Sequence, residues 1–116
     1  MRQDKLMNSD MRRAMFKLRI LFSIKKSEAN AYMLWKMFNS DKRHHGLSFG
    51  KEGLKNRVYN TVKSLERSGH IKASEKVENG RLKKYYKLTS KGNSALKTAK
   101  KLFQEHAKEM ILILGE

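Results

Sequence analysis

The sequence predicts a mainly α-helical fold with one small β-hairpin, and three observations predict it. Long stretches at both ends of the chain repeat apolar residues every three or four positions, the period of a half-buried helix. A third such stretch, around Val58, stops at Gly69. Two short runs follow, Ile71 to Glu78 and Arg81 to Leu88, separated by Asn79-Gly80, a pair that tolerates the positive φ a type I′ turn needs. A polar-faced helix, a glycine, a basic hairpin and a further helix, in that order, make up a winged helix-turn-helix. Long N- and C-terminal helices flank it.

From Leu6 to Ile24, Met7, Met11, Ala14, Met15, Leu18, Leu21 and Phe22 return at three and four residues, backed by Arg12, Arg13, Lys17 and Arg19. This predicts an amphipathic first helix over 6–24 that closes the core, with Met7 and Met11 reaching towards a second subunit as the alternative. Lys25 to Ala29 is a polar turn in which Ser27 is a candidate cap. Asn30 to Asn39 carries Tyr32, Met33, Trp35, Met37 and Phe38, apolar nearly all round, and is expected to lie largely buried behind the next helix. Trp35 is a core or interface anchor, with ligand stacking as its alternative role.

Ser40 to Gly53 has the cues of a loop: Ser40-Asp41, Gly46, Gly50 and Gly53 beside Lys42, Arg43, His44 and His45. A short strand at Leu47-Ser48-Phe49 would pair with the hairpin. Adjacent histidines point in different directions and nothing nearby completes a tetrahedral set, so no metal site is expected. A helix over 55–68 follows, with Asn56 as its expected N-cap and Gly69 in the left-handed position that ends it. Val58, Val62 and Leu65 mark its buried side. At about 100° per residue the opposite pole holds Asn56, Asn60, Lys63 and Arg67, with Arg57 and Tyr59 on the flanks and Lys55 at the start. Polar residues must face water somewhere on any helix, but here every one is a donor suited to phosphate or a base edge.

Around the hairpin tip stand Lys76, Arg81, Lys83 and Lys84, and Thr89 or Ser90 caps a last helix over 90–114. On that helix Leu96, Ala99, Phe103, His106, Met110 and Ile113 are spaced 3, 4, 3, 4 and 3, a heptad seam, with Lys97, Lys100, Lys101, Gln104 and Lys108 off it. Such a stripe favours a homodimer built by this helix with help from Met7 and Met11 of the first; the alternative is a helix folded back on its own domain.

The chain has 116 residues, suited to one domain, and carries 27 Lys and Arg against 11 Asp and Glu, a formal charge of +16. That excess repels itself unless matched to a polyanion, and nucleic acid is the default one. A membrane surface fits less well, because the cations are spread along the chain instead of along one amphipathic helix. There is no cysteine and no apolar run near the roughly 18 residues of a membrane span, and no apolar stretch follows Met1-Arg2-Gln3-Asp4-Lys5, so a cytoplasmic protein is expected. A Gly-rich phosphate loop and a nucleophile with a partnered histidine are both missing, so neither an enzyme nor a cofactor is expected.

The segments Val58-Tyr59-Asn60, Leu65-Glu66 and Gly69-His70-Ile71, followed by Gly80-Arg81, Tyr85-Tyr86-Lys87-Leu88-Thr89 and Gly92, resemble the core of the PadR-like winged-helix regulators. Upstream, Ala31-Tyr32-Met33-Leu34 resembles that family's Gly-Tyr-Glu-Leu helix, so the likeness spans about 30 to 92. The chain departs from the family pattern in lacking a proline ahead of the recognition helix, in having Val58 for the usual Leu, and in a short wing. MarR-like and ArsR-like winged helices share much of this grammar.

The expected function is therefore sequence-specific binding of double-stranded DNA by a dimeric transcriptional regulator, with helix 55–68 in the major groove. Asn pairs with adenine N6 and N7, while Lys and Arg favour guanine O6 and N7. The hairpin cations would meet phosphates or the minor groove, fixing register without reading sequence. Two alternatives stand beside it: an RNA-binding ribonucleoprotein component, and a plasmid or viral protein that segregates or coats DNA.

Overall fold

The computed structural model describes residues 9–40 and 50–115, which form α1 (Ser9–Lys26), α2 (Ala31–Ser40), α3 (Gly50–Arg67), β1 (Ile71–Glu78), β2 (Arg81–Leu88) and α4 (Ser90–Leu114). Among the described residues, element order and type are those the sequence predicts, and the fold is a winged helix-turn-helix.

The core is built where α1, α2, α3 and the base of the hairpin meet. α1 contributes Phe16, Ile20, Leu21 and Ile24, α2 contributes Leu34 and Phe38, α3 contributes Leu54, Val58, Val62 and Leu65, and Ile71 and Tyr86 close it from the strands. Phe16 meets Phe38 edge-on, with ring centroids 5.4 Å apart. Burying these side chains supplies the main driving force, about 1.5–3 kcal/mol for each large one.

α1 differs from expectation in which stripe is buried. Its core stripe is Phe16, Ile20 and Ile24; Ala14, Met15 and Phe22 are exposed on the far side, and among the described side chains of the predicted stripe only Leu21 is fully buried. Both stripes fit a three-and-four spacing, so the period alone did not choose between them. Met7 lies outside the described residues. α2 is also less buried than its composition implied: Tyr32, Met33 and Met37 are exposed, because among the described residues only the Leu34 and Phe38 side has a helix against it. Its cap is Asn30, whose Oδ1 accepts from the Met33 N–H at 2.9 Å, and not Ser27.

α3 begins at Gly50, six residues ahead of Asn56, so Asn56 is not its cap and 50–53 are helical, not loop. The glycines at 50 and 53 lower helix propensity without forbidding it, and the anchoring of Leu54 in the core outweighs them. The expected strand at 47–49, Lys42, Arg43, His44 and His45 lie outside the described residues. The helix ends as predicted, with Gly69 at φ +84°, the His70 N–H donating to Leu65 O at 2.9 Å and the Gly69 N–H to Glu66 O at 3.0 Å. This pair of bonds is a Schellman motif.

The strands pair antiparallel in register from Ile71 with Leu88 to Glu78 with Arg81. Asn79 and Gly80 have φ of 52° and 75°, the type I′ geometry their identities predicted. The third strand position beside β2 is filled by a single bridge from Ala29, whose carbonyl accepts the Tyr86 N–H at 2.8 Å. At the hairpin base Thr89 caps α4, accepting from the Gly92 N–H at 3.2 Å while its hydroxyl donates to Gly69 O at 2.6 Å. Lys91 Nζ donates to Ser68 O at 2.8 Å. The end of α3, the wing and the start of α4 are thus fixed to one another.

Candidate nucleic-acid interface

Burial of Leu54, Val58, Thr61, Val62 and Leu65 sets the rotation of α3, and the pole it leaves outside carries Asn56, Asn60, Lys63 and Arg67, all exposed. The flanks go elsewhere. Arg57 turns towards α1, its guanidinium 5.4 Å from the Phe16 ring centre, and Lys55 lies over Trp35 at 5.4 Å. Tyr59 is half-buried and faces the wing side. Three of the seven cationic, amide or phenolic residues singled out on this helix therefore belong to its packed flanks.

The wing stands beside this pole. Tyr86 anchors it to α3 through a hydroxyl donated to Glu66 Oε1 at 3.3 Å. Arg81 is exposed at the tip. Lys76 is engaged, 2.7 Å from Glu28 Oε1 in the α1–α2 connection and 5.5 Å from the Tyr85 ring centre. The hydrogen bond with the Glu28 carboxylate raises the Lys76 ammonium above its ordinary pKa, and the same bond lowers that of Glu28. Lys83 lies 3.8 Å from Glu78, and Glu78 also accepts the Tyr85 hydroxyl at 2.7 Å, which raises the phenol pKa. Lys84 sits 5.3 Å from the Tyr86 ring centre and is raised chiefly by hydrogen bonding to that tyrosine. Lys76 and Lys84 consequently hold their full charge at neutral pH.

Between the first turn of α2, the wing-facing flank of α3 and strand β2 lies an open cleft of ≈ 610 Å³. Its walls bring together Tyr32, Tyr59, Lys63, Lys83, Lys84 and Tyr85. Tyr32 reaches this side because α2 is buried along Leu34 and Phe38 and not all round as its composition predicts. Beside its cations the wing carries Val77 and Leu82, a cross-strand pair near the tip that is 72% and 64% exposed. Apolar residues next to a charged turn are the signal of this pair in the sequence.

The predicted seam of α4 divides in two. Leu96 and Ala99 are half-buried, with Leu96 packed on the core, whereas Phe103, His106, Met110 and Ile113 are exposed. Ile111, Leu112 and Leu114 are exposed as well, so the end of the helix is apolar on every side. Met11 lies in the first turns of α1. Among the described residues no group of histidine and carboxylate side chains could hold a metal, and no helix is long and apolar enough to cross a membrane.

The sequence profile described as the transcriptional regulator PadR-like family matches residues 20–98. Among solved structures, a PadR-like transcriptional regulator from Bacillus cereus strain ATCC 14579 superposes with a TM-score of 0.72 at 21% identity, over 93% of this chain and 99% of that one. A PadR family transcription regulator from hypervirulent Clostridium difficile R20291 gives 0.66 at 22% identity, over 84% and 96%. No curated protein matches the chain.

Proposed function

The chain belongs to the PadR-like family of transcriptional regulators, its match covering residues 20–98, and on that premise we propose that it acts as a dimer binding a specific double-stranded DNA sequence. The observation that carries the proposal is the exposed pole of α3, Asn56, Asn60, Lys63 and Arg67, standing beside a basic wing on a chain of charge +16. α3 enters the major groove, where Asn56 and Asn60 pair with adenine and Arg67 reaches guanine or phosphate. Arg81, Lys83 and Lys84 meet the backbone or the adjacent minor groove. Lys55, Arg57 and Lys76 support the pose from the flanks through their contacts with Trp35, Phe16 and Glu28.

Dimerisation is supported by the outer half of α4. Phe103, Met110 and Ile113 are exposed on its seam, and α1 shows a second apolar stripe, Met15 and Phe22, opposite its core side. A second copy would cover both, with Leu96, Ala99, His106 and the leading turns of α1, Met7 and Met11, completing the interface. Repression is the regulatory direction such a protein gives most simply, by occupying a promoter.

Selection from a random duplex pool at about 0.15 M salt, beside a structured-RNA competitor, tests the proposal. An inverted repeat with half-sites about one helical turn apart is the expected product. RNA winning with no enriched duplex would replace it with a ribonucleoprotein role, and cooperative spreading without a motif would replace it with DNA coating.

A further inference from the structure

The cleft between α2, α3 and the wing assigns a division of labour along α3 that its polar face alone does not. Four tyrosines surround the cleft, and two have spent their hydroxyls: Tyr85 donates to Glu78 and Tyr86 to Glu66. The hydroxyls of Tyr32 and Tyr59 have no hydrogen-bond partner among the described residues, and both side chains line the walls. Tyr32 is 53% exposed, yet its ring is held, tilted against Trp35 at 5.8 Å with Lys36 Nζ 5.9 Å from its centre. Lys63 lies on the same wall as Tyr59, one turn on, at the edge of the α3 pole that borders the cleft. Two unspent phenol donors and an ammonium therefore converge on one open, positively charged recess.

That chemistry suits a phosphodiester. A phosphate offers acceptor oxygens and a charge to Lys63, while the tyrosine rings supply apolar surface for the adjoining sugar. A base edge in this recess would be set back from the outer pole, where Asn56 and Asn60 stand exposed. We infer that the cleft seats one backbone phosphodiester of duplex DNA, held by Tyr32, Tyr59 and Lys63, so that Lys63 holds register and does not read sequence. The inference rests on the DNA-binding reading above and adds Tyr32 of α2 to it.

Binding of Tyr32→Phe and Lys63→Ala, each against the wild type, to a panel of duplexes across a salt titration tests the inference. Tyr32→Phe removes one hydroxyl from an exposed ring and should weaken every duplex equally by roughly fivefold, with an unchanged salt slope. Lys63→Ala should weaken all of them alike and lower the salt slope by about one. Unaltered binding by Tyr32→Phe, or a changed base preference in Lys63→Ala, overturns the inference while leaving DNA binding intact. A wild type that binds no duplex overturns both. Thermal unfolding of each variant at the wild-type temperature separates these outcomes from loss of fold.

Discussion

Asn60 and Lys84 are given different duties, and substitution separates them. Asn60→Ala should relax discrimination at one base pair by about 1–3 kcal/mol, whereas Lys84→Ala should weaken all duplexes evenly, as salt titrations of matched and mismatched sites would show. In the core, Ile71 is 1% exposed, and Ile71→Ala should cost about 2–5 kcal/mol in denaturant unfolding. Gly92 is held by space: a Cβ there would lie 2.2 Å from the His70 carbonyl oxygen, so Gly92→Ala should cost about 1–3 kcal/mol, read as a lower unfolding midpoint at unchanged slope. His70 itself carries a pH dependence. Burial first, then Lys91 and Lys17, lowers its pKa below the usual 6.5, so the folded state resists protonation. Its contribution to stability is complete above that ordinary value and is lost as pH falls through the lowered one. The unfolding midpoint should therefore drop on acidification from about pH 7.5 to 5.5, and less steeply in His70→Asn. Which α3 residues face outward was legible in the sequence, because Val58, Val62 and Leu65 fix the helix rotation. The fate of the flanks was not, since Arg57 and Lys55 are long enough to fold back on Phe16 and Trp35 of other helices.

Sequence and structure agree best at three turns and caps around the wing, where local chemistry decides the backbone. Gly69, Asn79-Gly80 and Thr89 each impose a backbone geometry through their own atoms, and each stands where the sequence placed it. Boundaries set by tertiary packing were not legible: α3 extends back to Gly50 because Leu54 is anchored in the core, and α2 is half exposed because none of the described residues covers Met33 and Met37. The buried stripe of α1 is the same case, as two apolar stripes competed and only the packed fold selects one. The bridge from Ala29 to Tyr86 and the Glu28–Lys76 pair join residues far apart in the chain, which no spacing announces.

At the scale of the whole molecule, the described residues measure 60 × 32 × 21 Å, an elongation that α4 explains, since 25 residues of helix run about 37 Å. Its outer half is exposed among the described residues, and the proposed second copy would cover it. A charge placed there should then act on assembly and not on folding: Phe103→Glu should weaken dimer association by about 2–5 kcal/mol in sedimentation equilibrium while leaving the unfolding of the dilute protein unchanged. The net charge of +16 makes all binding depend on salt, so a bare affinity says little about the function; sequence preference decides it. The most direct measurement is selection from random duplex DNA by the wild type and by Asn60→Ala in parallel. An inverted repeat for the wild type that loses one symmetric position per half-site in the variant is the predicted result. The same motif from both proteins, or none from either, would contradict the role given to the outer pole of α3.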